Sequence, residues 1–165
     1  MITWYMLSLT LHLVGLALWL GGIVFFLVVF GPAVNELPPS VGIRALNQGR
    51  ISLEIVSWVA IGLLFLSGMF NLILRIQTIG VPPGQFYLIV LSLKLLLFLA
   101  MLVHHCLQVF KYAPEIASLT AAVSGESPSW PEPLRALWQK WFTLLKINAT
   151  LGPIVTLIGI ALMKS

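Results

Sequence analysis

Leu11-His12-Leu13-Val14-Gly15-Leu16-Ala17-Leu18-Trp19-Leu20-Gly21-Gly22-Ile23-Val24-Phe25-Phe26 decides what kind of protein this is. The stretch lies in a run from Met1 to Val34 that holds no Asp, Glu, Lys or Arg, longer than the ~20 apolar residues that cross a bilayer. It carries one imidazole, an indole seven residues later, and a pair of glycines beyond. An ionisable side chain in lipid is costly and normally faces a protein interior, so what His12 faces is the first question the chain poses.

Outside that stretch the composition keeps the same character. The chain is 59% hydrophobic and 8% charged, where a soluble domain carries roughly 25% charged residues. A chain this apolar has too little polar surface to cover itself in water, and it reads as a single integral membrane domain of 165 residues. The net charge of +4 comes from basic residues scattered between apolar runs. These read as topology signals and headgroup anchors, and no nucleic-acid-binding motif accompanies them. A single cysteine, Cys106, leaves no internal disulfide. Met-Ile-Thr-Trp-Tyr lacks the basic n-region of a signal peptide, so the first helix is expected to be retained.

Four apolar stretches stand out, at about Thr3–Phe30, Ile51–Leu74, Phe86–Phe110 and Trp141–Met163. The first is expected to stop at Gly31-Pro32, the third to follow Pro82-Pro83-Gly84, and the fourth to close at Lys164. Only helices or closed barrels satisfy the backbone in lipid, and the alternation of barrel strands is missing. The fold class that follows is all-α, a four-transmembrane-helix bundle. Between the first two spans, Ser40 reads as the N-cap of a short helix. A second short helix is expected from Pro114 to Val123, then an irregular turn at Ser127-Pro128-Ser129-Trp130-Pro131-Glu132-Pro133. Leu134 to Trp141 looks interfacial, with tryptophans at headgroup depth.

The loops after spans one and three hold Arg44, Arg50, Lys111, Arg135 and Lys140, with Lys146 at the boundary; the other side holds Arg75 and Lys164. The positive-inside rule then places those loops in the cytoplasm and both termini outside.

The ionisable groups inside the spans are His12, Glu54, Lys94, His104 and His105, with Lys146 near an interface. At ~1.5 Å per residue, His12 and Lys94 lie at similar depth, and Glu54 and His105 form a second level near the loop side, with Lys146 and Asn148 nearby. Helical phase puts Lys94, Phe98, Met101 and His105 on one stripe, with His104 turned about 80° away from Lys94. On the first helix, His12, Gly15, Trp19 and Gly22 share a face. The glycines read either as helix-packing contacts or as room for a flat cofactor. His12 reads either as a ligand or as an imidazole hydrogen-bonded to a neighbouring helix, and Lys94 either as its partner or as a snorkelling lysine.

The His12-to-Gly22 stretch resembles the first-helix signature of the CopD-like and HemJ-like membrane proteins. Leu66-Ser67-Gly68-Met69-Phe70-Asn71 resembles the Thr-Gly-x-x-Asn ending of the CopD second helix, with serine for threonine. Leu91-Ser92-Leu93-Lys94-Leu95-Leu96-Leu97 resembles the third helix of both families. The resemblance covers roughly Leu11 to Val109 and implies a four-helix bundle in a bacterial inner membrane. HemJ-like proteins oxidise protoporphyrinogen and associate a b-type haem with a first-helix histidine and a third-helix lysine, which map onto His12 and Lys94. CopD-like proteins are linked to copper uptake. The arginine and second histidine that HemJ-like proteins carry after the small-residue pair have no counterpart in Phe25-Phe26-Leu27-Val28-Val29-Phe30.

Three functional readings follow. The first is a haem b protein for electron transfer or oxidation of a small membrane-associated substrate, a haem-dependent oxidoreductase if it is an enzyme. Its candidate cofactor-binding residues are His12, Lys94, His105, Trp19, Gly15 and Gly22. The second is a structural or accessory subunit of a larger membrane complex. The third is a copper-handling protein, for which Met101, His105 and Cys106 offer soft and imidazole ligands on adjacent helix faces. The candidate metal ligands are His12, His104 and His105. His12 and His105 differ by ~15 Å in depth, so they are not expected to clamp one iron within one chain; two haems, or ligation across a dimer, would remove that difficulty. Phe25, Phe26 and Phe30 face lipid or a second subunit in this reading, which makes a homodimer an expectation alongside the lipid bilayer itself.

Overall fold

The computed structural model describes residues 2–79, 84–123 and 129–164. Among them the chain is four long helices and no strand. Helix α1 runs over Ile2–Phe25 and continues through a π-helical stretch, Phe26–Phe30, into one more turn, Gly31–Asn35. Helix α2 is Pro39–Ile79. Helix α3 runs over Gln85–Cys106 and continues through a π-helical stretch, Leu107–Tyr112, into Ala113–Ala122. Helix α4 is Glu132–Lys164. Each is long and apolar enough to cross a membrane, so the fold is the expected all-α four-helix membrane bundle.

The helix ends differ from the sequence expectation. Gly31-Pro32 does not stop α1. A proline inside an α-helix removes one backbone bond and pushes its ring against the carbonyl a turn earlier. Here the residue before each proline bonds one position further back than an α-helix would. The Gly31 N–H reaches the Phe26 carbonyl ahead of Pro32, and the Ala113 N–H reaches the Gln108 carbonyl ahead of Pro114. The widened turn makes room for the ring, and the helix goes on. The short helix expected from Pro114 is therefore the tail of α3. Ser40 is not an N-cap either: the first bond of α2 runs from the Gly42 N–H to the Pro38 carbonyl, so the loop helix and the second span are one rod. Leu134 to Trp141 is likewise the first part of α4. The expected breaks at Pro82-Pro83 and at Ser127-Pro128 lie outside the described residues.

These rods are longer than a membrane is thick. The 41 residues of α2 measure about 60 Å at ~1.5 Å per residue, against a hydrocarbon core of ~30 Å. Large exposed apolar side chains run from Ile55 to Ile76 on α2 and from Phe86 to Phe110 on α3, a belt of the thickness lipid requires. On the loop side of that belt the rods build a compact cap. Ile43, Ile116 and Leu134 are completely buried there, and Val34, Leu46, Trp138 and Trp141 nearly so. Arg44, Lys111, Arg135, Lys140 and Lys146 lie on its exposed surface.

Within the belt, α1 packs most extensively on α2, and α3 on α4. Gly15 sets the first contact: a methyl there would lie 3.1 Å from the Ala60 carbonyl oxygen and 3.1 Å from Leu64 Cγ. Small residues let helix backbones approach in this way where no hydrophobic effect drives them together. The two pairs meet where Leu20 of α1 packs over Gly152 of α4. At the terminal side, the Arg75 guanidinium lies 4.3 Å from the centre of the Tyr87 ring and donates to the Leu162 carbonyl, tying α2 to α3 and α4. One aromatic expectation is corrected. Phe25 is exposed, but Phe26 is buried among Phe30, Trp141 and Phe142 because it begins the π-helical stretch and so turns toward α4.

Candidate functional site

Polar groups in this apolar bundle collect at two levels. The first is built on His12. Its Nδ1 lies 2.8 Å from Oγ of Ser67 on α2. The Ser67 hydroxyl lies against the Leu63 carbonyl a turn earlier, and a hydroxyl can donate or accept. In either tautomer the Ser67 hydroxyl engages Nδ1, so Nε2 is the ring nitrogen that Ser67 leaves unheld. One turn before His12, the Ser8 hydroxyl donates to the Ser67 carbonyl at 3.1 Å. Ser67 is thus held at both ends, and it orients the ring of His12.

Lys94 of α3 is a charged neighbour of His12. No hydrogen bond joins them among the described residues; the Lys94 ammonium instead rests over Gly159 of α4, where a methyl would lie 3.2 Å from Nζ. Gly15 and Gly22 occupy helix-packing positions rather than an open face. Gly15 backs onto Ala60, Leu63 and Leu64, and Gly22 onto the tip of Leu53. Asn71, a turn beyond Ser67, keeps a buried side-chain oxygen without a partner.

The second level lies toward the cap. His105 is 4% exposed, and its ring sits edge-on between Trp58, 5.0 Å away between ring centres, and Trp19, 6.5 Å away. Trp19 in turn meets Phe98 edge-on at 5.9 Å. Beside these rings is a cavity of about 10 Å³, lined among others by Trp19, Glu54, Ser57, His105 and Trp141, room for roughly one water. Glu54 forms its ion pair with Arg50 at 2.6 Å, and Arg50 also donates to the side-chain oxygen Oδ1 of Asn47 through Nε and Nη2. Arg50, read from the sequence as a loop charge, is 4% exposed.

His104 does not point to lipid. Its Nδ1 donates to Oδ1 of Asn148 at 3.1 Å, and Asn148 donates through Nδ2 to the Met101 carbonyl. The expected nearness of Asn148 to this level is observed, whereas Lys146 is exposed. His12, His104 and His105 have separate partners, and among the described residues no three His, Cys, Asp or Glu side chains gather into a metal site.

Ser67, Trp58, Gln108 and Trp141 are the residues that a search for ionisable groups passes over. Gln108 is 1% exposed and donates to the Trp141 carbonyl. The available signal was an uncharged polar side chain standing alone in an apolar helix, since such a group has to find a partner inside the bundle. Comparison of the chain with family models, with characterised proteins and with solved structures returns no match.

Proposed function

We propose that this chain is a b-type haem-binding membrane protein that transfers electrons or oxidises a small membrane-associated substrate, with His12 as an axial ligand. The observation that carries the reading is the hydrogen bond between His12 Nδ1 and Ser67, which anchors the ring on α2. Nε2, which Ser67 does not hold, would be the nitrogen donor that binds iron. Bound there, a haem would supply one-electron chemistry. His12 would hold the iron and Ser67 would orient the ring. Lys94, at the matching depth in the expected topology, is the second residue that the resemblance to HemJ-like proteins assigns to haem.

His105 fits a macrocycle poorly. Its free nitrogen belongs to a level whose cavity has room for about one water, and its ring is flanked by the indoles of Trp58 and Trp19. The reading therefore rests on His12 alone, with the cap in the cytoplasm and the termini outside according to the distribution of Lys and Arg.

A visible spectrum of detergent-purified protein tests it. A Soret band that is lost in His12→Ala and kept in His105→Ala is the expected result. Loss of the band only in His105→Ala overturns the assignment, and stoichiometric copper without a Soret band selects the copper reading. A well-folded protein with neither is the accessory subunit.

A further inference from the structure

We propose that Trp19, Glu54, His105 and Trp141 form a binding site for a single water molecule, one group from each of the four helices. The site is separate from His12, and its test does not depend on whether haem is bound.

Three observations converge on it. The first is the cavity itself, of about 10 Å³, about the space that one water needs. The second is that three of its walls carry a buried ring nitrogen with no hydrogen-bond partner in the protein: Nε1 of Trp19, Nε2 of His105 and Nε1 of Trp141. Their side chains are 3%, 4% and 1% exposed, so none of these nitrogens reaches bulk solvent. Buried polar atoms of native proteins are almost always satisfied, and leaving one unsatisfied costs on the scale of a lost hydrogen bond. The third is the chemistry of the set. An indole N–H can only donate, so the two tryptophans need an acceptor and cannot satisfy each other. Glu54 is a carboxylate held by Arg50 and can only accept.

Water meets all of these requirements at once. Its two lone pairs accept from Trp19 and Trp141, and its two hydrogens go to Glu54 and to Nε2 of His105. That assignment leaves none of the four groups without a partner, and it gives His105 an unprotonated Nε2. A halide or other small anion would serve the indoles but would leave Glu54 and His105 facing a negative charge. An apolar occupant would serve none of them. Because the groups come from α1, α2, α3 and α4, the water would join all four helices at one point.

The test is proton-detected solid-state NMR of the ¹⁵N-labelled full chain in lipid bilayers, with magnetisation transferred from water. The indole N–H signals of Trp19 and Trp141 are expected to receive it, and His105 Nε2 is expected at the shift of an unprotonated nitrogen accepting a hydrogen bond. Trp138 is the internal reference: its Nε1 is equally buried and without a partner, but it does not line the cavity, so its signal is expected to stay several-fold weaker. In Trp141→Phe, the transfer to Trp19 is expected to fall several-fold because the shared water has lost a donor. Dry indoles in the wild type overturn the site. Transfer to Trp19 that is unchanged in Trp141→Phe also overturns it, since each indole would then have its own water. The wild-type measurement decides the question even if that variant does not fold.

Discussion

The Nδ1 atom of His12 and the Ser67 hydroxyl are joined across α1 and α2 by a 2.8 Å hydrogen bond, and the same hydroxyl lies against the Leu63 carbonyl. Among the described residues Ser67 is the side-chain partner that anchors this imidazole in its apolar segment. Ser67→Ala removes that anchor and frees the ring to rotate. On the proposed haem reading, retention of the cofactor by that variant is expected to drop by roughly 10–100-fold, the usual cost of losing an outer partner of a ligating histidine. Ser67→Thr keeps the hydroxyl and is expected to stay close to wild type. Haem-dissociation kinetics followed at the Soret band check both.

Gly15 and Gly21 differ in a way that helical periodicity does not reveal. A methyl at Gly15 meets the Ala60 carbonyl oxygen, which is backbone and cannot move aside; a methyl at Gly21 meets nothing within 4 Å. Gly15→Ala is expected to destabilise the bundle by ~1–3 kcal/mol through overpacking. Gly21→Ala is expected to be neutral, or stabilising by up to ~1 kcal/mol from helix propensity. Unfolding in mixed micelles measures the two side by side.

The Arg50–Glu54 pair makes a sharper demand, because Arg50 is 4% exposed. Glu54→Ala leaves a buried guanidinium with only Asn47 for company, at an expected cost of ~3–5 kcal/mol. Glu54→Gln keeps a hydrogen-bond acceptor in place and is expected to lose less than half of that. Thermal unfolding of the two variants in detergent orders them.

Asn148 holds His104 with one end of its amide and the Met101 carbonyl with the other. Asn148→Leu strands the His104 N–H, and the expected loss is ~1–3 kcal/mol. His104→Leu combined with Asn148→Leu removes both polar partners. The double variant is expected to be more stable than the sum of the singles by ~0.5–3 kcal/mol, the range for residues in direct contact. A double-mutant cycle of unfolding free energies gives the value.

Much of this was legible in the sequence, for a physical reason. Spanning a bilayer takes length and apolarity, and both are one-dimensional properties, so the four spans follow from composition along the chain. The depth of His105 and Glu54 follows too, since rise per residue is constant. Partner choice is a different matter. That His12 meets Ser67, and that Lys94 lies over Gly159, depends on how α1 and α3 rotate against α2 and α4, which no single helix encodes. The ends of the helices were hidden as well. Pro32 and Pro114 look like stops, and whether a proline stops a helix depends on the turn before it.

That turn has a geometric consequence of its own. Each π-helical stretch holds one residue more than the α-helical path would need, and a residue is worth about 100° of rotation. Val34 and Ile116 are buried in the cap only because α1 and α3 have each taken up that extra step at Phe26–Phe30 and Leu107–Tyr112. Deleting a single residue such as Val28 from the first stretch would leave the lipid-facing half unchanged but close the widened turn that accommodates Pro32, so the helix would have to kink there. The deletion would also swing Val34 out of the cap by more than a quarter turn. The cap and the membrane half of this protein are thus set in phase with each other by one surplus amino acid in each of two helices.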